Sequence, residues 1–465
     1  MENFWDYNVW GFFNLFAVLL LSLLAANMMK KNIPILQASL IPTSVLGGGI
    51  LLVIAAVFKL TTGEQLFDTP FFGGNGLTVL EMLTYHTLAL GFIASALKTS
   101  EGKLTKQRTV EIFNTGVTTV STYLLQAVLG FGITMIAAAT VMPDLFPSSG
   151  VLLPFGYGQG TGQAMNYGGI YQNEYGFVGG KSFGLSVAAL GFLSASIGGV
   201  IHLNLLRRRG LVTVAVNEGK LQSEEIQADN EIPMQESIDK LTVQVALITA
   251  AYLLAYLMMS ALGNLLPGMR SVIFGFNFLL GVLSATAIKL IINLLRRSGW
   301  MKKEYTNNFL LTRACNFFFE IMVVAGIAAI RLEALQQYWA ILLVLGFVGL
   351  FSTYYYLRVV CKVLFPHYEQ EQFLAMYGML TGTASTGVIL LREIDGEFKT
   401  PASDNLVYQN FPAIVFGFPM MLLATLAPQK PALTMVLLVV FLAAMLLILF
   451  RSLIFGKKEK TNSRA

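Results

Sequence analysis

Two short segments of this 465-residue chain combine residue types that hold ions without adding charge. The first reads Tyr157-Gly158-Gln159-Gly160-Thr161-Gly162-Gln163-Ala164 and the second Tyr377-Gly378-Met379-Leu380-Thr381-Gly382-Thr383-Ala384. Aligned at an offset of 220, they agree at five of eight positions. A hard monovalent cation prefers oxygen, which unwound carbonyls and hydroxyls supply without charge. Gly158, Thr161, Gly378 and Thr381 are the candidates for such a site, with Glu320 as an acidic ligand. An anion needs donors, and glycine-rich turns expose consecutive N–H groups beside helix N-termini. Candidate substrate contacts are Gln159, Gly160, Thr161, Gly162, Gln163 and Asn166 in the first segment. In the second they are Gly382, Thr383, Ser385 and Thr386, with Arg392 just beyond. The plainer role for each polar side chain is to satisfy neighbouring unwound backbone.

What must position these segments follows from composition. Hydrophobic residues make up 55% of the chain and charged residues 12%, about half the share of a soluble protein. Mean hydropathy is +0.65. Disorder, nucleic-acid binding and a water-soluble enzyme are excluded, and a polytopic protein of the lipid bilayer remains. Apolar runs predict eleven spans, at about 9–29, 42–60, 77–97, 110–141, 182–206, 241–266, 272–295, 309–330, 338–357, 406–426 and 432–455. Threaded from an external N-terminus, they leave 26 of 31 Lys and Arg on the cytoplasmic side. That bias sets the N-terminus outside and the C-terminus inside.

The two glycine-rich segments are too rich in glycine for ordinary helices. Non-helical backbone survives at membrane depth only when buried in protein or lining a cavity. Both are therefore expected to be re-entrant hairpins, at about 151–169 and 371–391. Each follows the fourth helix of a five-helix half, and an odd helix number gives the halves opposite orientations. The expected fold is all-α, with a first inverted repeat over 1–209, a cytoplasmic linker over 210–240 and a second repeat over 241–427. An extra helix and a basic tail occupy 428–465. In that plan one hairpin enters from outside, the other from inside, and they meet near the midplane.

Charges at membrane depth are functional suspects because burying them is costly. Glu320, with Asn316 one turn earlier on the same face, is the leading one. A structural pairing with Arg313 or Lys289 is the alternative. Arg392 either attracts a carboxylate or pairs with Asp395 or Asp404. Glu81 and His86 are weaker candidates. The three histidines and two cysteines have no metal or redox spacing.

The string Gly158-Gln-Gly-Thr-Gly162, then Tyr175-Gly-Phe177 and Gly198-Gly199, resembles the bacterial sodium/glutamate symporter family. Ile41-Pro42 followed by Gly47-Gly48-Gly49 is similar to that family's opening, and Tyr377–Thr386 stands where its second hairpin does. The resemblance in plan covers about residues 9–427. It implies a sodium-coupled symporter of glutamate or a related small carboxylate, working by alternating access of the elevator type. It further implies sodium as coupling ion with no other cofactor, a homodimer and a cell inner membrane. The chain departs at Gly156-Tyr157-Gly158-Gln159, where Gly-Gly-His is expected, and in the charged run Leu391–Gly396. The substrate is thus less firmly implied than the plan. A proton-coupled or exporting organic-anion carrier is the alternative, and an ion channel the more distant one. An enzyme is not expected: the spans show no Ser–His pair, no paired aspartates and no His-Glu-x-x-His.

Overall fold

The computed structural model describes residues 3–99, 105–210, 231–234, 238–396 and 399–451. Within them all regular structure is helical, apart from one isolated β-bridge between Glu231 and Glu304. The helices are α1 (Tyr7–Asn32), α2 (Pro34–Ala38), α3 (Thr43–Thr62), α4 (Gly76–Leu97), α5 (Lys106–Thr140), α6 (Leu152–Tyr175) and α7 (Gly180–Arg208). After the linker come α8 (Lys240–Leu265), α9 (Arg270–Gly275), α10 (Asn277–Arg297), α11 (Asn308–Ala328) and α12 (Trp339–Leu364). The chain closes with α13 (Glu369–Thr381), α14 (Ala384–Arg392), α15 (Ala402–Tyr408), α16 (Asn410–Leu426) and α17 (Pro431–Leu449).

Ten described helices are long and apolar enough to cross a bilayer. The pair α15–α16, bent by 52°, makes an eleventh if counted as one span. The bend falls at the polar Gln409-Asn410 step, just ahead of Pro412, which has no N–H to continue an upstream ladder. The chain is a multi-pass helical membrane protein. Most span limits agree with the apolar runs to within a few residues; α12 runs seven residues past its expected end, and the runs read as single helices from residues 272 and 406 are divided into α9–α10 and α15–α16. The linker expected at 210–240 lies mostly outside the described residues, as does the basic tail. Its described end is anchored: Glu231 pairs at 2.7 Å with Lys240, which is fully buried at the start of α8.

Helix ends carry the expected local chemistry. Thr105 caps α5 by accepting from the Arg108 N–H, and Asp239 and Asn307 cap α8 and α11 in the same way. Lys30-Lys31, Arg207-Arg208 and Arg296-Arg297 fall in the last turns of α1, α7 and α10, where the helix dipole favours cations.

The spans do not pack in chain order. Helices α1, α3, α4, α8, α10 and α11 form one bundle, in which α11 lies against both α3 and α4. Helices α5, α7, α12 and α13 pack together, with α16 and α17 against α5 and with α6 against α7. The first bundle thus takes the first three spans of each sequence half. The second takes the fourth span of each half and everything that follows it. Helix α6 touches both bundles, through α4 and α11 on one side and α7 on the other.

Candidate functional site

Both glycine-rich segments double back on themselves. Helix α6 breaks at Gly160, where φ is 78° and ψ −170°, a backbone state open essentially to glycine alone. The rings of Phe155 and Tyr167 consequently stack with centroids 4.0 Å apart. Twelve residues along a straight helix would separate them by about 18 Å. The second segment turns at Gly382-Thr383, and α14 runs back along α13 with Gly387 against Gly378. A Cβ added at Gly378 would lie 2.7 Å from the Gly387 Cα, so the two backbones meet only because both residues are glycine.

The two turns come together. A Cβ on Gly160 would sit 3.6 Å from the Thr383 methyl and 3.4 Å from the Met322 methyl of α11. Thr161 donates to the Met322 carbonyl at 3.1 Å, fixing the first turn to α11. From the other side α5 holds both turns within one helical turn of its own length. The Tyr123 hydroxyl donates to the Gly158 carbonyl at 2.9 Å, and the Gln126 amide donates to the Leu380 carbonyl at 3.0 Å and to Thr353 at 2.8 Å. Tyr157 and Tyr377, aligned in sequence, converge on Ser194 of α7. Tyr157 lies 2.9 Å from its hydroxyl and Tyr377 donates to its carbonyl at 2.9 Å.

A cavity of about 770 Å³ runs between the bundles and reaches these turns. Of the residues singled out in the sequence, Gly158, Gln159, Gly382, Thr383, Ser385, Arg392 and Glu320 line it. Glu320 is exposed to it and, among the described residues, makes no hydrogen bond or ion pair. The proposed pairings do not form: Lys289 donates to the Ala96 and Lys98 carbonyls at the end of α4, and Arg313 lies over the Phe309 ring. Near Arg392, Asp404 faces Arg108 and Asp395 caps the Lys399-Thr400 turn.

The remaining candidates sit behind the turns. Thr161, Gly162 and Gln163 are buried; so are Gly378, Thr381 and Thr386. Thr381 donates back to the Tyr377 carbonyl, and Thr386 receives Thr383 as an N-cap. Asn166 donates to the Gly275 carbonyl at 2.6 Å, tying the second arm of α6 to α9. Gln163 accepts from Asn166, while its buried Nε2 has no partner among the described residues. Glu81 is engaged with Lys181 at 2.5 Å and Arg331 at 3.4 Å, and His86 bonds the Tyr252 hydroxyl.

Sequence reasoning missed Tyr123, Gln126 and Gln409. Gln409 lines the cavity, and its Oε1 is buried without a partner among the described residues. Gln126 did carry a signal, an uncharged amide at mid-span, which in an apolar helix must be hydrogen-bonded or used. Also missed was the aromatic wall of Phe92 and Phe278, at 5.0 Å, and Phe319, at 5.4 Å from Phe92.

No protein-family model matches the chain, and no curated protein matches it at a significant level.

Proposed function

We propose that the chain is a sodium-coupled carrier of a small carboxylate such as glutamate, working by alternating access. The observation that carries this reading is the meeting of Gly160 and Thr383 at a cavity between two bundles. The doubled segments act as re-entrant hairpins from inverted halves. Their helix ends offer N–H groups and carbonyls where an anion and a cation bind side by side. The bundle of α1, α3, α4, α8, α10 and α11 serves as the scaffold, and the bundle holding the turns moves as the elevator.

Lys98, Arg313 and Arg392 line the cavity away from the turns, on the face that the basic-residue bias assigns to the cytoplasm. The form described is then inward-facing. On the opposite face, Glu81 ties α4 to Lys181 of α7 and to Arg331 after α11, closing the outer route. The N-terminus is external, the membrane a cell's inner membrane, and the scaffold the contact of a homodimer. Proton coupling is the second reading, favoured by the unpaired carboxylate of Glu320.

Counterflow in proteoliposomes tests the carrier. Labelled substrate should accumulate transiently against unlabelled substrate inside, and a sodium gradient should accelerate uptake more than a proton gradient does. A panel of small carboxylates and amino acids that shows no accelerated exchange would overturn carrier function. Acceleration by protons alone would replace sodium.

A further inference from the structure

The arrangement of charge along the cavity says more about the substrate than the glycine turns do. Met322 marks the level of the turns, since its carbonyl holds Thr161. Glu320 lies two residues away on α11, so the charge nearest the turns is negative. The cations are remote. Arg313 stands nine residues before Met322, or about 13 Å at the helical rise, and Arg392 is about 12 Å along α14 from its first residue. Lys98 is further still, level with Asn308, whose side chain accepts from the Thr99 N–H at 2.8 Å.

A dicarboxylate would bring a second negative charge toward Glu320, whereas a single carboxylate needs one set of backbone donors at the turns. That set is the N-terminus of α14, whose first residues Ala384 and Ser385 line the cavity behind the Thr383 cap. One acceptor without a partner among the described residues opens onto the same space: the Glu320 carboxylate. On the same bundle as Glu320, and lining the same cavity, runs the wall of Phe92, Phe278 and Phe319. An anion site, an acidic acceptor and an apolar face fit one molecule with a carboxylate, an ammonium and a hydrophobic body.

We infer that the cavity takes a zwitterionic amino acid with an apolar or aromatic side chain. Its carboxylate sits on the α14 N-terminus, its ammonium on Glu320, and its side chain on the phenylalanine wall. This rests on the carrier reading and narrows its substrate. Glu320 is then a substrate residue, and the coupling cation is left to neutral oxygens.

The test uses the full chain in lipid nanodiscs with sodium present. Thermal stabilisation is titrated with L-phenylalanine, L-glutamate, 3-phenylpropionate, which lacks the ammonium, and phenethylamine, which lacks the carboxylate. Phenylalanine should bind at least about tenfold more tightly than each of the others, the effect of losing a hydrogen bond to a charged group. Glu320→Gln should narrow the gap between phenylalanine and phenylpropionate. Where that variant fails to fold, the comparison of the ligands on the unaltered protein still decides. Glutamate binding as well as phenylalanine, phenylpropionate binding as well as phenylalanine, or no binding by any of the four overturns the inference. The carrier reading is judged separately, because counterflow of glutamate would uphold it while refuting this substrate.

Discussion

Tyr157 and Tyr377, 220 residues apart in the chain, bring their hydroxyls to the same residue, Ser194 of α7. Tyr157 also donates to the Gly346 carbonyl of α12 at 2.6 Å. The two doubled segments are therefore pinned to a common helix by residues in equivalent sequence positions.

Removing either hydroxyl should loosen one segment without unfolding the protein. Tyr377→Phe is expected to lower stability by about 1 kcal/mol, the usual net value of one hydrogen bond, and Tyr157→Phe by more, because its hydroxyl also donates to the Gly346 carbonyl. Ser194→Ala should add little to Tyr157→Phe, because it removes the other end of the same contact, yet add nearly its full effect to Tyr377→Phe, which uses the carbonyl. A double-mutant cycle on thermal melts in detergent measures both.

Gly160→Ala should cost more. The residue holds a positive φ with extended ψ, and forcing a side chain into that region costs about 1–3 kcal/mol. The expected signs are a lowered melting temperature and lost ligand binding. Unchanged melting would mean that the turn tolerates a different backbone.

Cysteines at Gln159 and Ser385, on a background lacking Cys315 and Cys361, should respond together to an impermeant thiol reagent, since both positions line one cavity. In the form described, both should label from the cytoplasmic side and both be protected by substrate. Glu81→Gln weakens the closure on the opposite face and should raise labelling of both from outside. Labelling of one position without the other would separate the two turns.

Glu333, in the loop between α11 and α12, gives a pH signature. Its hydrogen bond with Lys59, helped by Gln65, holds the carboxyl below its usual range despite partial burial. A depressed folded pKa means stability that is present above the unfolded value and lost as pH falls through the folded one. Glu333→Gln should therefore lower the melting temperature at neutral pH, with the difference shrinking as pH falls below the ordinary glutamate value of about 4.3. A difference that persisted in acid would point to packing in place of charge.

Much of this architecture is written in local patterns. Apolar runs set the spans because a bilayer demands about 20 residues at each crossing; Gly160 marks a turn by its positive φ, and Gly382 by the tight space around it. The site was half legible. Gln159, Thr383 and Ser385 reach the cavity because they sit at the turns themselves. Thr161 and Thr381 look equivalent in sequence, but one hydroxyl is spent on α11 and the other on its own helix. Which face a residue presents depends on partners hundreds of positions away, and no local pattern encodes it. Phe92 and Phe278 become a cavity wall only once α4 and α10 are laid beside α11.

Helix α5 has 35 residues, so it measures about 52 Å against a hydrocarbon layer of about 30 Å. It must lean or protrude, and the lean is set by membrane thickness. Because Tyr123 and Gln126 on this one rod grip the Gly158 and Leu380 carbonyls, a thinner or thicker membrane shifts both turns in concert. On the carrier reading proposed above, acyl-chain length would then bear on turnover with no ligand involved.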